Sequence, residues 1–205
     1  MTHHYQPLLL PTRIGDLRPT QMTVGMREVA LKRHAWRESC AKQGAEFLGR
    51  HMIPVVIGPK HRPWLVDHHH LALALHLEGQ EEVLASVIAN LSHLGRDEFL
   101  TVMDNRSWLH PFDARGVRQD YAALPRRLSK LKDDPYRSLA GAVLREGGYA
   151  KSQAPFAEFL WADFFRHRID AKLLSHDFDR AARKALDLAR SKRADHLPGW
   201  AGPST

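Results

Sequence analysis

Residues 53–77 read IPVVIGPKHRPWLVDHHHLALALHL: strand, turn, strand, polar knot and apolar helix in one run. Ile53, Val55, Val56 and Ile57 are β-branched and fit a strand that ends at Gly58. Pro54 stands near its start, where a missing N–H is tolerated. The Pro- and Gly-rich segment 58–63 is a turn, and Trp64-Leu65-Val66 is a second strand, so the pair predicts a β-hairpin. Leu71, Leu73, Leu75 and Leu77, with Ala72 and Ala74 between them, predict a helix that is apolar almost all round. Such a helix belongs in a domain interior, and Gly79 is its expected stop. Between strand and helix sit Asp67-His68-His69-His70.

Upstream, Leu8-Leu9-Leu10 is a short apolar run closed by Pro11, a first strand. Ile14-Gly15-Asp16-Leu17-Arg18-Pro19-Thr20-Gln21 is a loop broken by its Gly and Pro. Thr23 is the expected cap of a long helix over 24–48. Val24, Val29, Trp36, Cys40, Phe47 and Leu48 form its loose apolar stripe, and Lys32, Arg33, Arg37 and Lys42 its polar face. Downstream, 83–91 is an apolar strand, 97–106 a helix, and Trp108-Leu109-His110-Pro111-Phe112 an aromatic turn. Pro125 is expected to open a helix through Lys132, and Pro135 another over 134–146, ended by Gly147-Gly148. Phe156, Phe159, Leu160, Phe164, Phe165 and Ile169 recur at helical spacing and predict one helix over 156–174 with a core-facing stripe. A final amphipathic helix over 177–192 carries Arg180, Arg183, Lys184, Arg190 and Lys192, and PGWAGPST is expected to be a loose tail. The β-type runs end near Leu91. The fold class is therefore α+β, a small mixed sheet with helices followed by a helical C-terminal half. The expected division is a core over 1–95, a helical extension packed on it over 96–175, and a basic helix with tail over 176–205.

Two hundred and five residues suffice to bury a core. The single cysteine, Cys40, excludes an internal disulfide and fits a reducing compartment. Its bland reading is a small packed residue, its sharp one a nucleophile. The N-terminus lacks the features of a secretory signal, no apolar run approaches the ~20 residues that span a bilayer, and the expectation is a cytoplasmic protein. The net charge of +7 favours anionic partners, and 14 histidines add charge below neutral pH. A Gly-rich phosphate loop, a Gly-x-Ser-x-Gly elbow, HExxH and paired CxxC are all absent.

The polar knot has its own chemistry. A helix starting near His69 offers free backbone N–H groups and a positive dipole end, which suits an anion. Asp67 in its plain role caps that helix. Adjacent histidines diverge by about 100° each on a helix, so His68, His69 and His70 cannot grip one metal from one face. Asp67 and His70 form an i, i+3 pair, and a transition metal there needs ligands from elsewhere.

A hairpin, an Asp-x-His-His box at a helix start and a preceding Leu-x-Pro-x-Gln loop resemble the ParB/sulfiredoxin superfamily, and within it the ParB-like nuclease group. The resemblance is carried by residues 14–21 with Val24-Gly25 and Glu28-Val29, by Ile53-Pro54-Val55-Val56, and by Leu65-Val66-Asp67-His68-His69-His70. Asp134-Pro135-Tyr136-Arg137-Ser138-Leu139 and the Lys151 region are also similar, so most of 8–170 is covered. It implies a ParB/sulfiredoxin-like core and a phosphate or nucleotide (ATP, ADP or CTP) at residues 67–70. The kinase-type box of the superfamily is Asp-Gly-His-His-Arg. Here His68 replaces the Gly and Leu71 the Arg, and Gln21 stands near the position of a Glu base, for which Glu28 is the substitute on offer. The sulfiredoxin cysteine is absent from the box, and neither an Arg-rich box nor a helix-turn-helix of the partition proteins is evident. The leading expectation is a nucleotide-binding protein with phosphoryl transfer or phosphodiester hydrolysis. Asp67, His69 and His70 would serve as catalytic groups, and His68, Gln21, Lys32, Arg137 and Lys151 as phosphate or nucleotide ligands. Mg²⁺ would be held by Asp67 through water. Two other readings stay open: a non-enzymatic DNA-binding or other nucleic-acid-binding module using basic helices at 126–132 and 180–193, and a degenerate scaffold.

Overall fold

The computed structural model describes residues 8–203, and for 40–48 and 50 the backbone only. Cys40, Phe47 and Leu48 therefore lie outside the described side chains. A five-stranded mixed sheet organises the N-terminal half. Its strands are β1 (Leu8–Arg13), β2 (Arg18–Pro19), β4 (Ile53–Gly58), β5 (Arg62–Leu65) and β6 (Glu82–Asn90), in the order β1-β6-β4-β5-β2. β4 and β5 form the expected antiparallel hairpin, β4 and β6 are parallel, and β1 runs antiparallel to β6 at one edge. Pro11 lies within β1 rather than closing it, because an edge strand has one side free of pairing.

β4 is buried on both faces. Adjacent strand residues point to opposite faces, so Val55 and Val56 enter two different core clusters; the register with β6 also shifts between them. Val55 joins Leu17, Val29, Ile53, Leu65 and the apolar residues of α2 (His69–Leu77) on one side. Val56 joins Phe99, Leu100 and Met103 of α3 (Arg96–Asn105) on the other. Helix α1 (Met26–Arg50) packs on α2. Arg33 and Arg37 both hold Glu78 just past the end of α2, at 2.5 and 2.7 Å, and these hydrogen bonds bring the Glu78 pKa down to about 2.

The start of α1 departs from expectation. Thr23 does not cap it, because Thr23–Val24 form a short strand, β3, parallel to β7 (Lys132–Asp133). The cap is supplied from far along the chain. The N–H of Met26 donates to Asp133 Oδ1 at 2.8 Å, and that of Arg27 to Ser138 Oγ at 3.2 Å. Gly25 lets this crossing happen: a Cβ there would sit 2.6 Å from the Ser138 backbone nitrogen.

The C-terminal half is helical, as expected: α4 (Pro135–Arg145), α5 (Ala157–Arg166), α6 (Ala171–His176) and α7 (Phe178–Arg190). Asp134 caps α4 through the Tyr136 N–H and is gripped by Arg166 from α5 at 2.8 Å. Three expectations are corrected. Residues 126–132 do not form a helix; only a 3₁₀ turn, Leu128–Lys130, is present, since Leu128 and Leu131 are the only apolar anchors there. The single helix over 156–174 is two, because Asp170 caps α6 by accepting from the N–H groups of Lys172 and Leu173. The tail is tied down as far as Trp200: Pro198 O accepts from Trp161 Nε1, Gly199 O from the Ala150 N–H, and Trp200 Nε1 donates to Ser191 O. Among the described residues no helix is long and apolar enough to cross a membrane.

Candidate functional site

The candidate site forms where the end of β5, the start of α2, the Thr20-Gln21 segment and α4 meet. Val66 ends the hairpin, and the chain turns sharply at His68, whose φ is +65°. That left-handed conformation is unusual for a residue other than Gly and marks a constrained turn. The Asp67 carboxylate stays local: its Oδ1 accepts from the His68 N–H at 2.6 Å. His68 is the residue before the helix, and its side chain does not cap it. Among the described residues the N–H groups of His69, His70 and Leu71 therefore find no acceptor, and the positive end of α2 is open.

The three histidines have separate environments. His69 is buried, and its Nε2 accepts the Thr20 N–H at 3.2 Å, while the Thr20 hydroxyl donates to Leu65 O at 2.6 Å. An Nε2 that accepts forces the proton onto Nδ1, and the His69 Nδ1 is buried with no partner. His70 Nε2 likewise accepts the Gly25 N–H at 3.0 Å. Burial pushes the His69 pKa down to about 3 and that of His70 well below the usual range, with the charge of Arg137 adding to both. Both are neutral imidazoles whose free donor is Nδ1–H. His68 is exposed, and its imidazole makes no hydrogen bond among the described residues. Desolvation lowers its pKa, Asp67 opposes this, and Lys32, His51 and Lys151 add to it.

Arg137 is the central charge. It projects from α4 and is 4% exposed. Its Nε and Nη1 have no hydrogen-bond partner, and its nearest carboxylate oxygen, Glu158 Oε2, lies 3.9 Å from Nη2, beyond hydrogen-bond range. The guanidinium is stacked 3.6 Å over Phe159. Beyond Phe159 lies His110, 3.8 Å away ring to ring, with Phe112 at 4.3 Å and Phe156 at 4.6 Å from it. Burial and Arg137 bring the His110 pKa down to about 3. The backbone of Gln21 bridges to that of His110, and the Gln21 Oε1 is buried without a partner.

Arg137 is thus close enough to Asp67, His69 and His70 to act on them electrostatically, Lys32 and Lys151 act on His68 in the same way, and Gln21 follows Thr20, which bonds His69. Glu28 Oε2 accepts from Arg145 at 2.5 Å, and its Oε1 is buried without a partner. Sequence reasoning missed Thr20, Gly25 and the aromatic wall around His110. The wall was visible only as a Trp-Leu-His-Pro-Phe turn and as the front of a helical stripe, with nothing to join them. Among the described residues no group of three His, Cys, Asp or Glu is placed to hold a metal ion. Asp67 fits Mg²⁺ only as a single ligand beside phosphate oxygens and water.

Comparison with known proteins identifies the family and the fold. The family described as "Putative ParB-like nuclease" matches residues 10–167. Protein Atu1540 from Agrobacterium tumefaciens, known from a crystal structure, is 54% identical. The alignment covers 98% of this chain and 100% of that one, with a TM-score of 0.91. No curated protein matches the sequence.

Proposed function

The chain belongs to the ParB-like nuclease family, and on that premise we propose that it binds a phosphate-bearing ligand, a nucleotide or a phosphodiester, at the start of α2. One observation carries the reading: Arg137 is a buried guanidinium with two unmet donor nitrogens. A buried charge with unmet donors and only a long contact to Glu158 is expensive, and an anion beside it removes the expense. Leu71 stands where the kinase-type box has an Arg, and Arg137 supplies that cation from α4 instead. The open N–H groups of α2 and the Nδ1–H groups of His69 and His70 are further donors to phosphate oxygens.

The chemistry such a site supports is attack at phosphorus, with charge developing on phosphoryl oxygens that face fixed donors. In this reading His69 and His70 act as neutral donors, because their Nε2 lone pairs are engaged. His68, open to solvent, is the imidazole that exchanges a proton with the attacking or leaving oxygen. Gln21 and Lys151 position the ligand, Lys32 adds charge, and Mg²⁺, where used, arrives with the phosphates beside Asp67. The aromatic wall of Phe112, His110 and Phe156 is the natural place for a base or sugar.

Calorimetry with inorganic phosphate, ATP, ADP and CTP, with and without Mg²⁺, tests the reading. Binding to at least one of these by the wild type, abolished in Arg137→Met, is expected. Absence of binding to all of them overturns it.

A further inference from the structure

A second cationic concavity lies at the other end of the hairpin. Arg18, Lys60, Arg62, Arg96 and Arg126 line a single cavity of about 300 Å³. It forms where the β4–β5 turn, β2 and the loop carrying Leu124 and Pro125 come together. From Arg62 to Asp67 the chain runs about 16 Å if extended, so the cavity and the histidine box are separate places joined by β5.

The charge there is one-sided. Among the described residues no carboxylate lines the cavity. Among the described residues Lys60, Arg62 and Arg126 form no ion pair, and Arg96 has only Asp97, at 3.8 Å and fully exposed. Arg18 is fixed by donating to Arg126 O at 3.0 Å, which ties β2 to the opposite wall. Five cations around one hollow repel one another, and an anion turns that repulsion into attraction.

The floor is built for something besides charge. Trp64, Leu124 and Pro125 make it apolar. The Trp64 indole Nε1 is a buried donor with no acceptor. The indole lies there because residue 58 is Gly: a Cβ would meet the Trp64 ring and Phe99 at 2.7 Å. The turn that carries Lys60 has two consecutive positive φ values, 60° at Lys60 and 53° at His61, a costly conformation outside Gly. A cavity of this volume is at the lower end of the range for small-molecule sites.

We propose that this cavity is a second anion site that takes one phosphorylated nucleoside unit. The phosphate lies among Arg18, Arg62 and Arg126, and the flat ring rests on the Trp64–Pro125 wall. A free mononucleotide and one residue of a single-stranded nucleic acid present the same chemistry. The proposal stands on residues outside the histidine box and does not depend on that site's function.

The test uses the full chain in the Arg137→Met background, where only the cavity is in question, and in the wild type. AMP and a fluorescein-labelled thymidine oligonucleotide are titrated by calorimetry and anisotropy. The double charge reversal Arg62→Glu/Arg126→Glu changes two exposed side chains and is compared with Trp64→Phe, which keeps an aromatic ring in the floor and removes the indole donor. Each is first checked for native circular dichroism and melting. The double reversal is expected to weaken binding at least tenfold, and Trp64→Phe severalfold. Loss with both ligands identifies a free nucleotide as sufficient. Loss with the oligonucleotide alone identifies the nucleic acid as the source, and the slope of log affinity against log salt then falls by about 1.4, ~0.7 for each lost phosphate contact. The proposal is overturned if the folded double reversal binds both as tightly as its parent, or if neither ligand binds the parent.

Discussion

Arg137→Met separates a charge kept for a ligand from a charge kept for the fold. In the free protein the guanidinium costs stability, because two unmet donors each carry about 1–3 kcal/mol of desolvation. Its contact with Phe159 returns about 0.5–2 kcal/mol, and the Met side chain retains part of that packing. The variant is therefore expected to be more stable than the wild type by about 1–3 kcal/mol in urea denaturation without phosphate. With phosphate at about 100 times its dissociation constant, the wild type gains about 2.7 kcal/mol by mass action. The variant gains nothing, so the order of stabilities narrows or reverses. A variant that is less stable than the wild type without phosphate, by more than about 1 kcal/mol, refutes the reasoning. So does a variant that keeps the full phosphate-dependent gain. Arg137 also depresses the pKa values of His69, His70 and His110, so its loss should make the fold less sensitive to acid.

The wild type should be acid-labile because burial, with Arg137 adding to it, disfavours the charged form of these histidines. His69 and His110 stay neutral when folded, with pKa values of about 3, while the unfolded chain takes up protons near 6.5. Their stability contribution is complete above pH 6.5 and is lost as pH falls toward 3, at about 1.4 kcal/mol per unit for each histidine. Urea melts at pH 7.5 and pH 5 should differ by about 2 kcal/mol for each of the two, and a flat profile contradicts their buried neutral state. Asp134→Ala removes both the cap of α4 and the partner of Arg166. A loss of about 3–5 kcal/mol is expected in chemical denaturation, and a loss under 1 kcal/mol would show the pair to be dispensable. Gly25→Ala drives a Cβ into Ser138 and should destabilise by about 2–4 kcal/mol while lowering phosphate affinity, since the Gly25 N–H orients His70. Unchanged melting and binding would remove that link.

The hairpin and α2 were legible because local chemistry and tertiary fate agree there. β-branched residues fill β4, Pro and Gly fill its turn, and Leu71, Leu73 and Leu75 face a core on every side. Thr23 misled because its local capping chemistry lost to a strand partner, Lys132, more than a hundred residues away. The break in the 156–174 helix was hidden because Ile169 and Leu174 remain buried across it, so the apolar period persists while the backbone stops. Asp170 ahead of Ala-Lys-Leu-Leu was the overlooked signal. At the site, the box and Arg137 were both nameable from pattern and resemblance. That the Nε and Nη1 of Arg137 have no acceptor, and that His69 and His70 have already committed one nitrogen each to backbone N–H groups, are facts of packing that spacing cannot encode.

The cap of α1 has a consequence for synthesis on the ribosome. Its first turn depends on Asp133 and Ser138, which emerge roughly a hundred residues after Met26. At about 5–20 residues per second, that is a delay of about 5–20 s. During it the β4–β5 hairpin and α2 can assemble, but the N–H groups of Met26 and Arg27 lack these caps until residues 133–138, at the start of α4, arrive. Arg137 travels on that same α4. The event that completes the long helix is therefore also the event that delivers the guanidinium, and a nascent chain cannot display a finished anion site on an unfinished fold.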